Sequence, residues 1–122
     1  MLSHVDVVAA VLVGVVAALH VYFLVLEMFL WTKPVGRRTF GLDPAFAEST
    51  RSLAANQGLY NGFLVAGLGW GLVSGREDVR LFFLGCVVVA GLFGAVTVSP
   101  RILLVQALPA ALAAGAVVVA AA

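Results

Sequence analysis

Charged residues are scarce in this sequence, and cysteine occurs once. Seven Lys or Arg and six Asp or Glu make up 11% of its 122 residues, against about 25% in ordinary soluble domains. This scarcity excludes a soluble enzyme, a disordered tail and a nucleic-acid-binding protein. The single cysteine, Cys86, excludes a disulfide within the chain.

Long apolar runs fill most of the chain instead. Hydrophobic residues make up 63% of it, and the mean hydropathy is +1.14. A membrane-spanning helix needs about 20 apolar residues, so we predict a single all-α, integral-membrane four-helix bundle with spans at about 5–31, 46–75, 79–98 and 102–121. Since residues 1–6 contain no Lys or Arg, we expect the first run to be a retained span rather than a signal peptide.

The basic residues predict the orientation of these spans. The first and third loops, with the start of the second span, carry Lys33, Arg37, Arg38, Arg51 and Arg101, and the middle loop carries Arg76 and Arg80. Positive residues concentrate on the cytoplasmic side, so we expect both termini outside. Trp31 would then be an interfacial anchor at the cytoplasmic end of the first span, and Trp70 one near the opposite face.

Polar residues inside the predicted spans are the strongest indication of a site. An ionisable side chain at mid-bilayer costs about 2.5–3.5 kcal/mol and usually faces the bundle interior. The polar residues are His20 and Glu27 on one stripe of the first span, Asn56, Gln57, Tyr60 and Asn61 on one face of the second, and Gln106 on the fourth. Counted at about 1.5 Å per residue, all of them fall in the cytoplasmic half, where we predict a ligand-binding pocket.

A basic rim would surround the mouth of this pocket. We expect Arg37, Arg38, Arg51 and Arg101 to attract the anionic head of an amphipathic ligand, because arginine makes fork-like contacts with carboxylate and phosphate. We predict no metal site, because His20 and Glu27 are separated by about 10 Å along the helix axis and metal ligands lie within about 2.2 Å of one ion.

Two other functions stay open at this point. The first is a proton-coupled transporter, since small multidrug exporters are similar in length and also carry an acid on the first helix; Glu27 or His20 would exchange the proton. The second is a structural or assembly subunit, because interhelical hydrogen bonds of Asn, Gln and Tyr hold helices together at about 0.6 kcal/mol each. No catalytic residue is indicated.

Small residues and one proline predict close helix packing. The pairs Gly14/Ala18, Gly58/Gly62 and Gly91/Ala95 have the spacing that lets helix backbones approach closely, either within the bundle or in a homo-oligomer. Pro109 in the fourth span predicts a kink or a free carbonyl.

Three segments carry a resemblance to a known family. Leu26–Trp31, the Gly41–Leu42 pair and Asn56–Leu64 resemble the bacterial inner-membrane family catalogued as domain of unknown function 1304. The resemblance covers nearly the whole chain. It implies a multi-pass protein of the bacterial plasma membrane with four helices and no assigned reaction.

A weaker likeness is to the membrane-associated eicosanoid and glutathione metabolism superfamily. Glu48, Arg51 and Asn56 match the Glu, Arg and Asn that open its second helix, although Arg51 lies five residues before Asn56, where that superfamily usually has four. The likeness implies a trimer (a dimer is the other homo-oligomer we consider) that binds glutathione or a lipid in the cytoplasmic leaflet. We take this likeness to concern the architecture alone and not a catalytic activity.

Overall fold

A computed structural model describes residues 2–122, and this part of the chain contains helices and no strands. The helices are α1 (His4–Met28), α2 (Pro34–Phe40), α3 (Pro44–Ser49), α4 (Arg51–Ser74), α5 (Glu77–Thr97) and α6 (Leu108–Ala121), with a π-helical turn at Leu103–Ala107. The predicted all-α class is thus confirmed. Helices α1, α5 and the stretch Leu103–Ala121 are long and apolar enough to cross a membrane, whereas α4, the second predicted span, is not among them.

The chain divides into two compact units. Residues 2–18 and 66–122 form one, which we call the terminal unit, and residues 19–65 form the other, the central unit. Helices α1 and α4 are each divided between the two units. Helices α2 and α3 belong to the central unit, and α5 and α6 belong to the terminal unit.

Helix α1 begins with a reciprocal cap and ends earlier than predicted. The Asp6 N–H donates to Ser3 Oγ at 3.1 Å, and the Ser3 N–H donates to Asp6 Oδ2 at 3.0 Å, which is the capping-box arrangement. The helix ends at Met28, three residues before the expected end of the first span at about residue 31. Beyond it the Lys33 N–H donates to the Leu30 carbonyl at 3.0 Å, forming a turn ahead of α2.

Helix α2 (Pro34–Phe40) lies in the first loop between the predicted spans, for which the sequence indicated no helix. Pro34 occupies its first position, where a missing N–H breaks no helical bond, and Gly41 ends it with φ of 66°. Gly36 lies so close to the Leu30 backbone that no side chain fits between them. Proline and glycine therefore mark the ends of a short helix here.

The second predicted span, 46–75, is interrupted at Thr50. Helix α3 begins at Pro44, where Asp43 Oδ1 accepts the Phe46 N–H at 2.9 Å. The Thr50 hydroxyl donates to the Phe46 carbonyl at 2.7 Å and accepts the Trp31 indole N–H at 3.0 Å. This polar contact fixes the junction between α3 and α4 within the central unit.

Close backbone contact organises the terminal unit. Its buried core consists of Ala9, Val13, Val16, Leu68, Val79, Leu84, Val87, Ala107, Ala110, Ala113 and Val117. A Cβ on Gly91 of α5 would lie 2.7 to 2.9 Å from the backbone nitrogen, Cβ and Cα of Ala107. A side chain at Gly91 would therefore force the two backbones apart.

The structure accommodates Pro109 with a π-helical turn. Pro109 lies at the start of α6, and the Leu108 N–H donates to the Leu103 carbonyl five residues back. A proline ring clashes with the carbonyl four residues before it and has no N–H to offer. A wider turn relieves this conflict, which is a usual reason for π-helical geometry.

Candidate functional site

The centre of the candidate site is a hydrogen bond between α1 and α4 within the central unit. Asn61 Nδ2 donates to Glu27 Oε1 at 2.5 Å. The Asn61 side chain is 5% exposed, and Glu27 is half-buried. A carboxylate and an amide from separate helices thus meet within the central unit.

Two glycines on α4 make this approach close. A Cβ on Gly58 would collide with the Met28 side chain and lie 3.2 Å from Glu27 Cβ, and one on Gly62 would lie 3.1 Å from Leu24 Cδ1. The Gly58/Gly62 pair therefore faces α1. Asn61 reaches Glu27 because it lies about 60° from Gly58 around the helix, at 100° per residue.

The Glu27 carboxylate has no cationic partner among residues 2–122. Its Oε1 accepts the Asn61 amide, while Oε2 makes no hydrogen bond in the same part of the chain. Because Glu27 is only half-buried, this oxygen can accept a hydrogen bond from a ligand. The described residues contain no group of three His, Cys, Asp or Glu side chains placed to hold a metal ion.

His20 lies two turns before Glu27 on α1 and is fully buried, with 0% of its surface exposed. Its ring packs edge-to-face against Phe23, with 5.3 Å between the ring centroids. The histidine is therefore buried and does not face the surroundings of the chain.

Three other residues of the predicted pocket face outward. Asn56, Gln57 and Tyr60 are exposed on α4, so the single chain does not enclose them. Their predicted face, with Asn61, is about 140° wide at 100° per residue, which is too wide to be buried against one helix. Gly58 and Gly62, which face α1, show that the Asn61 edge of this face is the buried one. Gln106 lies half-buried on the π-helical turn of the terminal unit.

Two of the four predicted rim arginines line one recess on α2. The recess has a volume of about 210 Å³ and is lined by Pro34, Arg37, Arg38, Gly41 and Leu42. The Nε of Arg37 is buried and makes no hydrogen bond. In the described chain neither arginine has a carboxylate within ion-pair distance.

The other two rim arginines lie elsewhere. Arg51 is exposed and lies 3.8 Å from Glu48, so it has a carboxylate of its own. Arg101 is exposed in the terminal unit, shortly before the π-helical turn. The recess on α2 is therefore built without Arg51.

Sequence reasoning missed the packing around Trp31, which it treated only as an interfacial anchor. The Trp31 ring lies 5.0 Å from the ring of Phe40 on α2 and donates its indole N–H to Thr50. The signal for this contact was the Pro34–Gly41 spacing, which predicts a short helix returning towards the end of α1. Trp31 thereby joins α1, α2 and the α3–α4 junction.

The terminal unit has a polar corner of its own between α4 and α5. The Arg76 guanidinium donates to Asp78 Oδ1 and Oδ2 at 3.1 and 2.7 Å and lies 5.4 Å from the Trp70 ring centroid. The hydrogen bonds to Asp78 raise the pKa of Arg76. A depression of about 410 Å³ adjoins this corner, but the carboxylate and the indole already hold Arg76.

The geometry defines an all-helical protein with three membrane-capable helices and a hydrogen bond that joins Glu27 of α1 to Asn61 of α4. Residues 14–118 match the family described as Protein of unknown function (DUF1304), and the chain belongs to that family. The predicted family resemblance is thereby confirmed. Neither a curated protein nor a solved structure matches the chain.

Proposed function

We propose that this chain is a four-span protein of the bacterial plasma membrane that binds an amphipathic ligand at the cytoplasmic end of its central unit. Three helices are long and apolar enough to cross a bilayer. Helix α4 has 24 residues, or about 36 Å at 1.5 Å per residue, and would be the fourth. The five basic residues around the first and third loops, against two in the middle loop, favour termini on the outside.

The Glu27–Asn61 hydrogen bond is the observation that carries the proposal. Placing a carboxylate without a cationic partner between two membrane-spanning helices costs free energy, and a functional role for Glu27 would account for it. The Glu27 oxygen left without a partner would accept a hydrogen bond from the ligand head, and the α2 arginines would attract its negative charge. Glutathione, anionic lipids and nucleotides are the ligand classes to test.

The experiment is thermal unfolding of the purified protein in a nonionic detergent with each of these ligands in turn. We expect one class to raise the Tm, because a ligand that binds only the folded state stabilises it. The shift should be lost in Asn61→Leu and kept in Asn56→Leu, which makes the same change at an exposed position of the same helix.

Glu27→Gln is a second variant, because glutamine still offers Asn61 an acceptor while the negative charge is removed. We expect this variant to fold and to bind the ligand more weakly. An unchanged Tm with all three ligand classes would overturn the proposal, as would a full ligand-induced shift in both Asn61→Leu and Glu27→Gln.

Proton-coupled transport is the second candidate, and the absence of a cationic partner for Glu27 among residues 2–122 favours it. An acid inside a bundle without a counter-ion is the type of group that proton carriers use. The transport hypothesis predicts that substrate drives a proton flux in proteoliposomes. The Glu27→Gln variant should abolish this flux. Glu48→Gln, at an exposed position, should leave the flux unchanged.

We also propose that copies of the chain associate through the Gly14/Ala18 pair. Gly58 and Gly91 each pack against another helix of their own unit, but a Cβ on Gly14 would meet nothing within 4 Å. Small residues of this spacing let backbones of separate chains approach closely. Gly14→Ile should reduce crosslinking between copies in detergent. Equal crosslinking in this variant and the wild type would contradict the assignment.

A further inference from the structure

We propose that the recess on α2 binds the phosphate of an anionic lipid headgroup, with Arg37 and Arg38 as the residues that hold it. This inference rests on the proposed function, because it names the chemical class of the ligand head. It concerns the five residues that line the recess, namely Pro34, Arg37, Arg38, Gly41 and Leu42.

The Arg37 side chain lines the recess and has no carboxylate within ion-pair distance in the described chain. Its Nε is buried and makes no hydrogen bond, whereas its two terminal nitrogens keep some exposed surface, so these can donate to an acceptor from outside the chain. Arg38 is exposed at the same recess. Two guanidinium groups on one recess match the several oxygens of a phosphate, which accept paired N–H donors.

The acidic residues of the central unit are all engaged elsewhere. Glu27 accepts the Asn61 amide, Asp43 caps the Phe46 N–H, and Glu48 lies beside Arg51. No other Asp or Glu occurs between residues 19 and 65. None of these three carboxylates lies within ion-pair distance of Arg37 or Arg38, so an anion from outside the chain would complement the two guanidinium groups.

The position of α2 selects a lipid rather than a soluble anion. Five residues separate the end of the membrane-capable helix α1 from Pro34, and Gly36 packs directly on the Leu30 backbone. The recess thus lies next to the end of a span, at the level where headgroups are found. Pro34 and Leu42 add apolar surface that suits the glycerol and the upper acyl chains of a lipid.

The charge also predicts which headgroup is preferred. Phosphatidylglycerol has a phosphodiester with one negative charge, whereas phosphatidylcholine adds a cation that would lie close to the two arginines. The phosphates of the two lipids accept the same hydrogen bonds, so the difference in affinity comes from the choline cation. We expect phosphatidylglycerol to bind about tenfold more tightly than phosphatidylcholine, which corresponds to about 1.4 kcal/mol.

Trp31 provides a local reporter for the test, because its ring lies beside Phe40 of α2. Trp70→Phe leaves Trp31 as the single tryptophan and retains a ring beneath Arg76. In this background, quenching of Trp31 fluorescence by brominated phosphatidylglycerol and brominated phosphatidylcholine, in mixed bilayers, gives the relative affinity. The Arg37→Ala/Arg38→Ala variant should lose the preference, and Arg51→Ala, outside the recess, should keep it.

Other outcomes would overturn the inference. Equal loss in Arg51→Ala, or full retention in Arg37→Lys/Arg38→Lys, would show that overall charge decides and that the recess does not. Displacement of the lipid by inorganic phosphate alone would assign the site to a soluble anion. A preference that persists in Asn61→Leu but is lost in the double alanine variant would support the recess while contradicting the role proposed for the Glu27–Asn61 pair.

Discussion

The central and terminal units hold their helices together in different ways. In the central unit, α1 and α4 are joined by the Glu27–Asn61 hydrogen bond, and the glycine beside it faces the flexible side chain of Met28. In the terminal unit, Gly91 of α5 faces the backbone of Ala107. One contact is polar and adaptable, and the other is apolar and rigid.

This difference separates a region that can respond to a ligand from one that supports it. In lipid, helices associate through close packing and hydrogen bonds, because the surrounding chains are as apolar as the side chains. Backbone contact at Gly91 leaves no room for adjustment. A hydrogen bond with a half-buried carboxylate can exchange partners, so we place binding in the central unit.

Gly91→Ala tests the rigid contact. The new methyl group would lie within 2.9 Å of three Ala107 atoms, two of them backbone, and such overpacking costs about 1–3 kcal/mol. We expect the free energy of unfolding, measured by denaturant titration in mixed micelles, to fall by this amount. Gly85→Ala on the same helix, where a Cβ meets nothing within 4 Å, should gain up to about 1 kcal/mol of helix propensity. Similar values for both variants would contradict the close contact.

Asn61→Leu tests the polar contact in the same titration without ligand. The substitution removes the hydrogen-bond partner of Glu27, and interhelical hydrogen bonds in membranes contribute about 0.6 to 1.7 kcal/mol. We expect a loss of about 1 kcal/mol, within that range. Asn56→Leu should change the stability by less than about 0.5 kcal/mol, as is usual at exposed positions. If Asn56→Leu destabilised the protein as much as Asn61→Leu, the assignment of the buried face would be wrong.

The helical class and the three membrane-capable segments could be predicted from the sequence, because long apolar runs admit few alternatives. Helix α2 is harder to predict, because proline and glycine are usual in loops and Pro34, Gly36 and Gly41 lie within eight residues. Their order decides the outcome, since proline favours the first position of a helix and glycine the position after its end. The order of residues also marks the start of α1, where Ser3 and Asp6, three residues apart, form a reciprocal cap.

The sequence placed Glu27, Asn56 and Asn61 in the same half of the membrane, but it did not indicate which asparagine contacts Glu27. Both are asparagines in the same helix, so residue type does not distinguish them. The buried face is set by Gly58 and Gly62, which allow α1 to approach on the side of Asn61. The recess on α2 could not be predicted, since it depends on a helix that the sequence analysis had not recognised.

Gly58→Ala makes the same glycine-to-alanine change in the central unit, at the contact between α4 and α1. The new Cβ would collide with Met28, whose unbranched side chain can move aside, while it would lie 3.3 Å from the Leu24 carbonyl. The gain in helix propensity of up to about 1 kcal/mol should nearly offset the crowding, so we expect little net change in the unfolding free energy. Gly69→Ala on α4, with nothing within 4 Å, provides the uncrowded reference. A loss in Gly58→Ala as large as that in Gly91→Ala would show that both units are equally rigid, and the reason for placing the adaptable site between α1 and α4 would disappear.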